Sequence, residues 1–167
     1  MALLRLGELA VARGEKIELV VIGGVAMMLG YDAREATKDV DAIILAPAAA
    51  TVRRLVEIVA TELAWPEDWL NDGAKGFVGV PSPGLPLLDG PGISVRTVST
   101  EQLLALKLSA WRDDVDIEDA RTLLERVRTD RDRDELWDVV AAFVPPGRAQ
   151  TSYFAFLDLW EGANGAG

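Results

Sequence analysis

The chain contains no cysteine and no histidine. The first absence excludes disulfides and thiolate metal sites. The second excludes Ser-His-Asp and Cys-His catalysis and zinc held by imidazole. Positive charge is scarce as well: 17 Lys and Arg stand against 27 Asp and Glu, for a formal net charge of −10. Such a field repels polyanions, so broad binding to duplex DNA is not expected unless the basic residues gather into one patch. No apolar run reaches membrane-spanning length. The stretch MALLRLGELAVARGEK is interrupted by charges and lacks the layout of a signal peptide, so the expectation is a cytoplasmic protein with no membrane partner. Any chemistry must come from carboxylates, Lys, Arg, hydroxyls and a hard metal ion.

What is present is a globular composition, half of it hydrophobic, over 167 residues. That length suits a single domain. It is expected over residues 1–161, with a core at about 17–98, a helical part at about 99–161 and a flexible tail at 162–167. Leu3, Leu6, Leu9 and Ala10 are spaced for a first helix ending before Gly14. IELVVI, from Ile17, reads as a strand stopped by Gly23-Gly24, with a helix after it; Asp39 to Leu45 reads as a second strand. Val52, Leu55, Val56, Val59 and Leu63 fall on one face of a helix from about Ala48 to Leu63. A short helix is expected from Pro66, a loop from Gly79 to Gly92, and a third strand from Ile93 to Val98. Helices follow: EQLLALKLSAW capped by Ser99 or Thr100, IEDARTLLERV, Asp134 to Phe143 and Gln150 to Trp160. The sum is an α+β fold with few strands and a helical C-terminal part. The five tryptophans are read as core.

Two acids stand out. In a strand, side chains at i and i+2 point the same way, so Asp39 and Asp41 are expected to share a face of the second strand. They either enter solvent at a strand edge or hold a cation. Oxygen ligands without histidine suit Mg²⁺ or Mn²⁺, which takes one or two carboxylates and completes its shell with water and phosphate oxygens. Gly23-Gly24 is either a tight connection or a place where bare backbone N–H groups at a helix start hold an anion. The pattern is neither GxGxxG nor GxxxxGK[ST]. Together, a glycine turn for phosphate and a carboxylate pair for metal, on consecutive strands, describe a metal-nucleotide site.

Lys107 is out of pattern, since its helical neighbours Leu103, Leu104, Ala110 and Trp111 are apolar or small. It either snorkels to water or aims its ammonium at a phosphate. Arg34 is a surface charge or a phosphate clamp. Asp116 and Asp119, at i and i+3, cap and solvate their helix or pair with Arg112. Arg96, inside the third strand, is a further candidate for the cleft.

The order IGG, then R-x-x-T-x-D-x-D as Arg34, Thr37, Asp39 and Asp41, then LLALKLSAWR and DIEDARTLL, resembles the minimal nucleotidyltransferases of the DNA polymerase β superfamily. It is most similar to the AbiEii/MenT-like branch, which includes toxins of toxin–antitoxin systems. The similarity runs from about Ile17 to Leu124, and WLNDGAKGF also has the look of that branch. The resemblance implies a small mixed sheet flanked by helices and Mg²⁺ on Asp39 and Asp41. It places the nucleotide triphosphate at Gly23-Gly24 with Arg34 and Thr37, and catalytic roles on Lys107 and on an acid among Asp116 and Asp119. The implied reaction moves a nucleoside monophosphate to an acceptor hydroxyl of tRNA or a small molecule, with an antitoxin protein as partner. Many members carry a third carboxylate on a later strand, and ISVRTV offers none. A catalytically silent binding or regulatory relative is therefore the alternative, and a small-molecule nucleotidyltransferase a further one.

Overall fold

A computed structural model describes residues 1–33, 39–111, 113–129 and 131–165. Contacts divide the chain into two compact units. The first comprises Met1–Gly76 with Pro83–Val98, the second Phe77–Ser82 with Ser99–Gly167.

The first unit is built on a five-stranded mixed sheet. Helix α1 (Ala2–Val11) leads into β1 (Ile17–Val21), then α2 (Gly23–Tyr31), β2 (Val40–Ala46) and α3 (Ala49–Leu63). The short β3 (Leu70–Asn71) follows, and β4 (Pro86–Gly90) and β5 (Ile93–Thr97) complete the sheet in the order β3-β2-β1-β5-β4. β1 is central, antiparallel to β2 and parallel to β5. One face carries Ile17, Leu19 and Val21 of β1 with Ile93, Val95 and Thr97 of β5, all buried. α1 closes on this face through Gly7, where an added Cβ would stand 2.6 Å from Ile93 Cγ2. Only a residue without a side chain allows that approach. α3 buries Val52, Leu55, Val56, Val59 and Ala60, which keeps the stripe read from its spacing; Leu63, the last residue of that stripe, stays exposed. Each fully buried Leu or Val contributes about 1.5–3 kcal/mol of apolar transfer.

The second unit is helical. α5 (Thr100–Ala110) is packed by α6 (Asp114–Val127), α7 (Arg133–Ala141) and α8 (Ala149–Gly165). Being surrounded, α5 buries residues on nearly every side, including Leu103, Leu104 and Leu108 but also Gln102 and Lys107. Ser99 caps it by accepting from the Gln102 N–H. Asp132 and Glu135 form a reciprocal capping box at the start of α7.

Three local expectations are corrected. The stretch after Pro66 is not a helix: Leu70–Asn71 pairs with Val40–Asp41 as an edge strand, and the helical turn α4 (Lys75–Val78) comes later. The expected loop from Gly79 to Gly92 contains β4, whose partner β5 supplies the ladder that its proline- and glycine-rich sequence does not advertise. Of the five tryptophans only Trp69 is buried; Trp65 is half exposed and the others are intermediate. Trp137 instead packs at 5.0 Å from Tyr153 and 5.3 Å from Phe156, while the Arg128 guanidinium sits 4.4 Å over Trp160.

Candidate functional site

The C-terminal end of β1 and the start of β2 meet at α2. Val21 pairs with Ala42, and the Ile22 N–H donates to the Asp41 carbonyl at 3.0 Å. α2 begins at once, with Gly23 as its first residue, so the glycine pair is the helix's own first turn rather than a loop ahead of it. Gly23 has φ +62, which glycine adopts without penalty and other residues do not. The N-cap, Ile22, has no side chain able to accept from the first N–H groups of the turn, and no side-chain cap bond is formed there. A helix start of this kind concentrates partial positive charge and backbone donors.

Asp41 faces that turn. A Cβ built on Gly23 would lie 3.1 Å from Asp41 Oδ2, so the carboxylate occupies the space that any larger residue at Gly23 would need. Asp41 is half-buried in β2, whereas Asp39 is exposed, stands before the strand starts at Val40, and makes a polar contact of its own. The shared-face argument therefore does not carry over to Asp39, which stands one residue before the strand. The donors are hard oxygens, which fit Mg²⁺ or Mn²⁺. Among the described residues, no group of three or more His, Cys, Asp or Glu side chains could hold a metal ion. Arg34 and Thr37 lie outside the described residues.

Strand register extends this surface. Ile43 pairs with Val20, and Val20 with Arg96. Residues opposite one another share a sheet face and residues two apart do too, so Asp41, Ile43, Val20 and Arg96 lie on one face. It is the face opposite the one α1 closes on. Arg96 is half-buried, and its Nη1 donates to the Thr97 carbonyl at 3.2 Å.

A second set of expected residues comes together within the helical unit. Lys107 Nζ lies 2.8 Å from Asp116 Oδ1 and 2.7 Å from Asp119 Oδ2, and all three side chains are buried. The ammonium is thus enclosed between carboxylates of the next helix instead of reaching water. Asp113, not Asp116, caps α6, accepting from the Asp116 N–H at 3.0 Å. Spacing along one helix could not reveal this pairing, because it joins α5 to α6. The signal was available nonetheless: a lysine on an apolar stripe, then two acids at i and i+3 on the following helix.

Comparison with known proteins adds one finding. The model of the family DUF6036, described as a nucleotidyltransferase of unknown function, matches residues 2–140. No curated protein and no solved structure matches the chain.

Proposed function

The chain belongs to the DUF6036 family of nucleotidyltransferases, and from that premise we propose that it transfers a nucleoside monophosphate from a nucleoside triphosphate to an acceptor hydroxyl, with Mg²⁺ or Mn²⁺ as cofactor. The observation that carries this reading is the placement of the Asp41 carboxylate against the uncapped first turn of α2. A carboxylate there attracts a divalent ion, and the adjacent N–H groups donate to the phosphates that the ion accompanies. Asp39 and Asp41 would hold the ion, which when bound offsets phosphate charge and polarises the reacting phosphoryl group.

In the proposed reaction the acceptor oxygen forms a bond to the α-phosphorus. The bond from that phosphorus to the bridging oxygen breaks, and pyrophosphate leaves with that electron pair. The hydroxyl proton passes to a carboxylate. The catalytic role proposed for Lys107, Asp116 and Asp119 rests on the resemblance and is supported by their coming together as one buried charge cluster within the helical unit. No phosphate is assigned to Lys107 directly, since its ammonium is already engaged twice.

We propose tRNA as the acceptor and an antitoxin as the protein partner, on the resemblance to the toxin-containing branch. A small-molecule hydroxyl is the second reading, favoured by the net charge of −10, which opposes polyanion binding. No helix among the described residues is long and apolar enough to cross a membrane, which fits the proposed cytoplasmic location. The test incubates the protein with each α-labelled triphosphate and Mg²⁺, with total tRNA or with a pool of hydroxylated metabolites. Label in tRNA that Asp41→Asn abolishes supports the first acceptor; label in small molecules alone supports the second. No transfer to either, and equal nucleotide binding by wild type and Asp41→Asn, would leave a silent binding protein.

A further inference from the structure

We propose that Arg96 is the phosphate-binding cation of this site, a positioning residue that grips the anionic tail of the nucleotide from the strand beyond β1. The inference rests on the reading of Asp41 and α2 given above and adds to it a ligand on a third element.

Three observations carry it. First, register puts Arg96 and Asp41 on the same face of the sheet, with β1 between them. Two strand spacings and one two-residue step separate their backbones by about 10 Å across and ~7 Å along, which the long side chain of arginine can largely span. Second, the guanidinium leans toward the site. Its Nη1 donates to the Thr97 carbonyl, and Thr97 pairs with Val21, two residues before Gly23. β1 and β5 run parallel, so this direction leads to the sheet end where α2 begins. Third, the neighbours in the same row, Val20 and Ile43, are buried and apolar, so among the described residues of this row no cation stands between the two groups.

The chemistry follows from the charges. A ligand that satisfies a metal on Asp41, the N–H groups of α2 and a guanidinium on β5 must be elongated and carry several negative charges. A triphosphate does, and the planar fork of arginine matches two oxygens of one phosphate. A site with a cation in this position is also poorly suited to a second divalent ion beside it, since the two would repel. The sheet thus assigns opposite charges to its two sides of β1: acid for metal on β2, base for phosphate on β5.

The test is calorimetric titration of the full chain with an α,β-methylene triphosphate analogue plus Mg²⁺, with tripolyphosphate, and with the nucleoside alone. Wild type, Arg96→Met, Arg96→Lys and Asp41→Asn are compared, with circular dichroism and melting as the control for folding. The expected result is that Arg96→Met weakens the analogue and tripolyphosphate alike, at least ten-fold, leaves the nucleoside unchanged, and that Arg96→Lys recovers part of the loss. Unchanged tripolyphosphate affinity in a folded Arg96→Met overturns the proposal. So does a loss that includes the nucleoside and tracks a lowered melting temperature, because it marks a structural role. Failure of the underlying reading looks different: Asp41→Asn then binds the Mg²⁺ analogue as wild type does, while tripolyphosphate still reports on Arg96. Wild type that binds neither the analogue nor tripolyphosphate overturns both.

Discussion

Gly23 and Asp41 are fitted to one another: the space for a side chain at Gly23 is filled by Asp41 Oδ2, 3.1 Å from where a Cβ would stand. The consequence is a prediction for Gly23→Ala. The substitution forces a left-handed φ on alanine, at about 1–2 kcal/mol, and presses on the carboxylate as well. We expect a fall in stability of about that size, read by urea denaturation. We also expect a loss of metal-dependent nucleotide binding larger than the stability change explains. Gly24→Ala carries no such backbone penalty, since Gly24 does not have a positive φ. Equal binding by Gly23→Ala and wild type would separate the glycine from the site.

Lys107 bridges two buried carboxylates, so removing it takes a cation away from both. Breaking a buried ion pair from one side costs about 3–5 kcal/mol, because the remaining charge is uncompensated. Lys107→Met should therefore destabilise the protein by that order in chemical denaturation. The combination with Asp116→Asn and Asp119→Asn should recover much of the loss, since the charges that Lys107 offsets go too. If Lys107→Met denatures like wild type, the cluster is not the electrostatic unit its distances describe. The same comparison is needed before any loss of activity in a Lys107 variant is assigned to chemistry.

Gln102 ties the segment 77–82 to α5. Its Oε1 accepts from the Ser82 N–H at 2.7 Å and from Ser82 Oγ at 2.6 Å, while Nε2 donates to the Val78 and Val80 carbonyls at 3.0 and 3.2 Å. One amide thus satisfies three backbone groups of a loop with no ladder of its own. Gln102→Leu keeps the approximate size and removes all four bonds, stranding partly buried backbone groups at a cost of about 1–3 kcal/mol. Amide exchange should rise locally at 77–82, with little change in the strands. A uniform rise across the chain would mean the clamp supports the whole fold instead.

Sequence patterning reached those parts of the structure where local periodicity and packing agree. The helices α1, α3 and α5 to α8 and the strands β1, β2 and β5 all form, with ends within a few positions of the expected ones, and α3 buries its marked stripe except for Leu63. β4 escaped because Pro86 and Gly90 carry no strand signal. Its existence is owed to pairing with β5, a tertiary effect that no local window contains. β3 escaped for the same reason, being two residues long and defined wholly by β2. At the site, Gly23 and Asp41 were legible because strand–turn–helix chemistry fixes both locally. The partners of Lys107 and the face of Arg96 were not, because each depends on which element lies alongside.

Arg5 and Glu62 give the first unit a pH-dependent clip. Arg5 Nε and Nη2 donate to the two oxygens of Glu62 at 2.8 and 2.9 Å, joining α1 to α3. The hydrogen bonds from Arg5 hold the Glu62 carboxyl below its ordinary value of 4.5, and the carboxylate in turn raises the pKa of the guanidinium. A depressed carboxyl contributes stability above the unfolded-state value, and that contribution is lost as pH falls through the folded one. The pair is exposed, so solvent screening keeps the effect small. Glu62→Gln should therefore be slightly less stable than wild type at neutral pH, with the gap closing as the pH drops below 4.5. Paired urea titrations across that range measure it, and added salt should narrow the neutral-pH gap by the same screening. A gap that persisted undiminished in acid would assign the difference to packing of the side chain stems between α1 and α3 rather than to the charge pair.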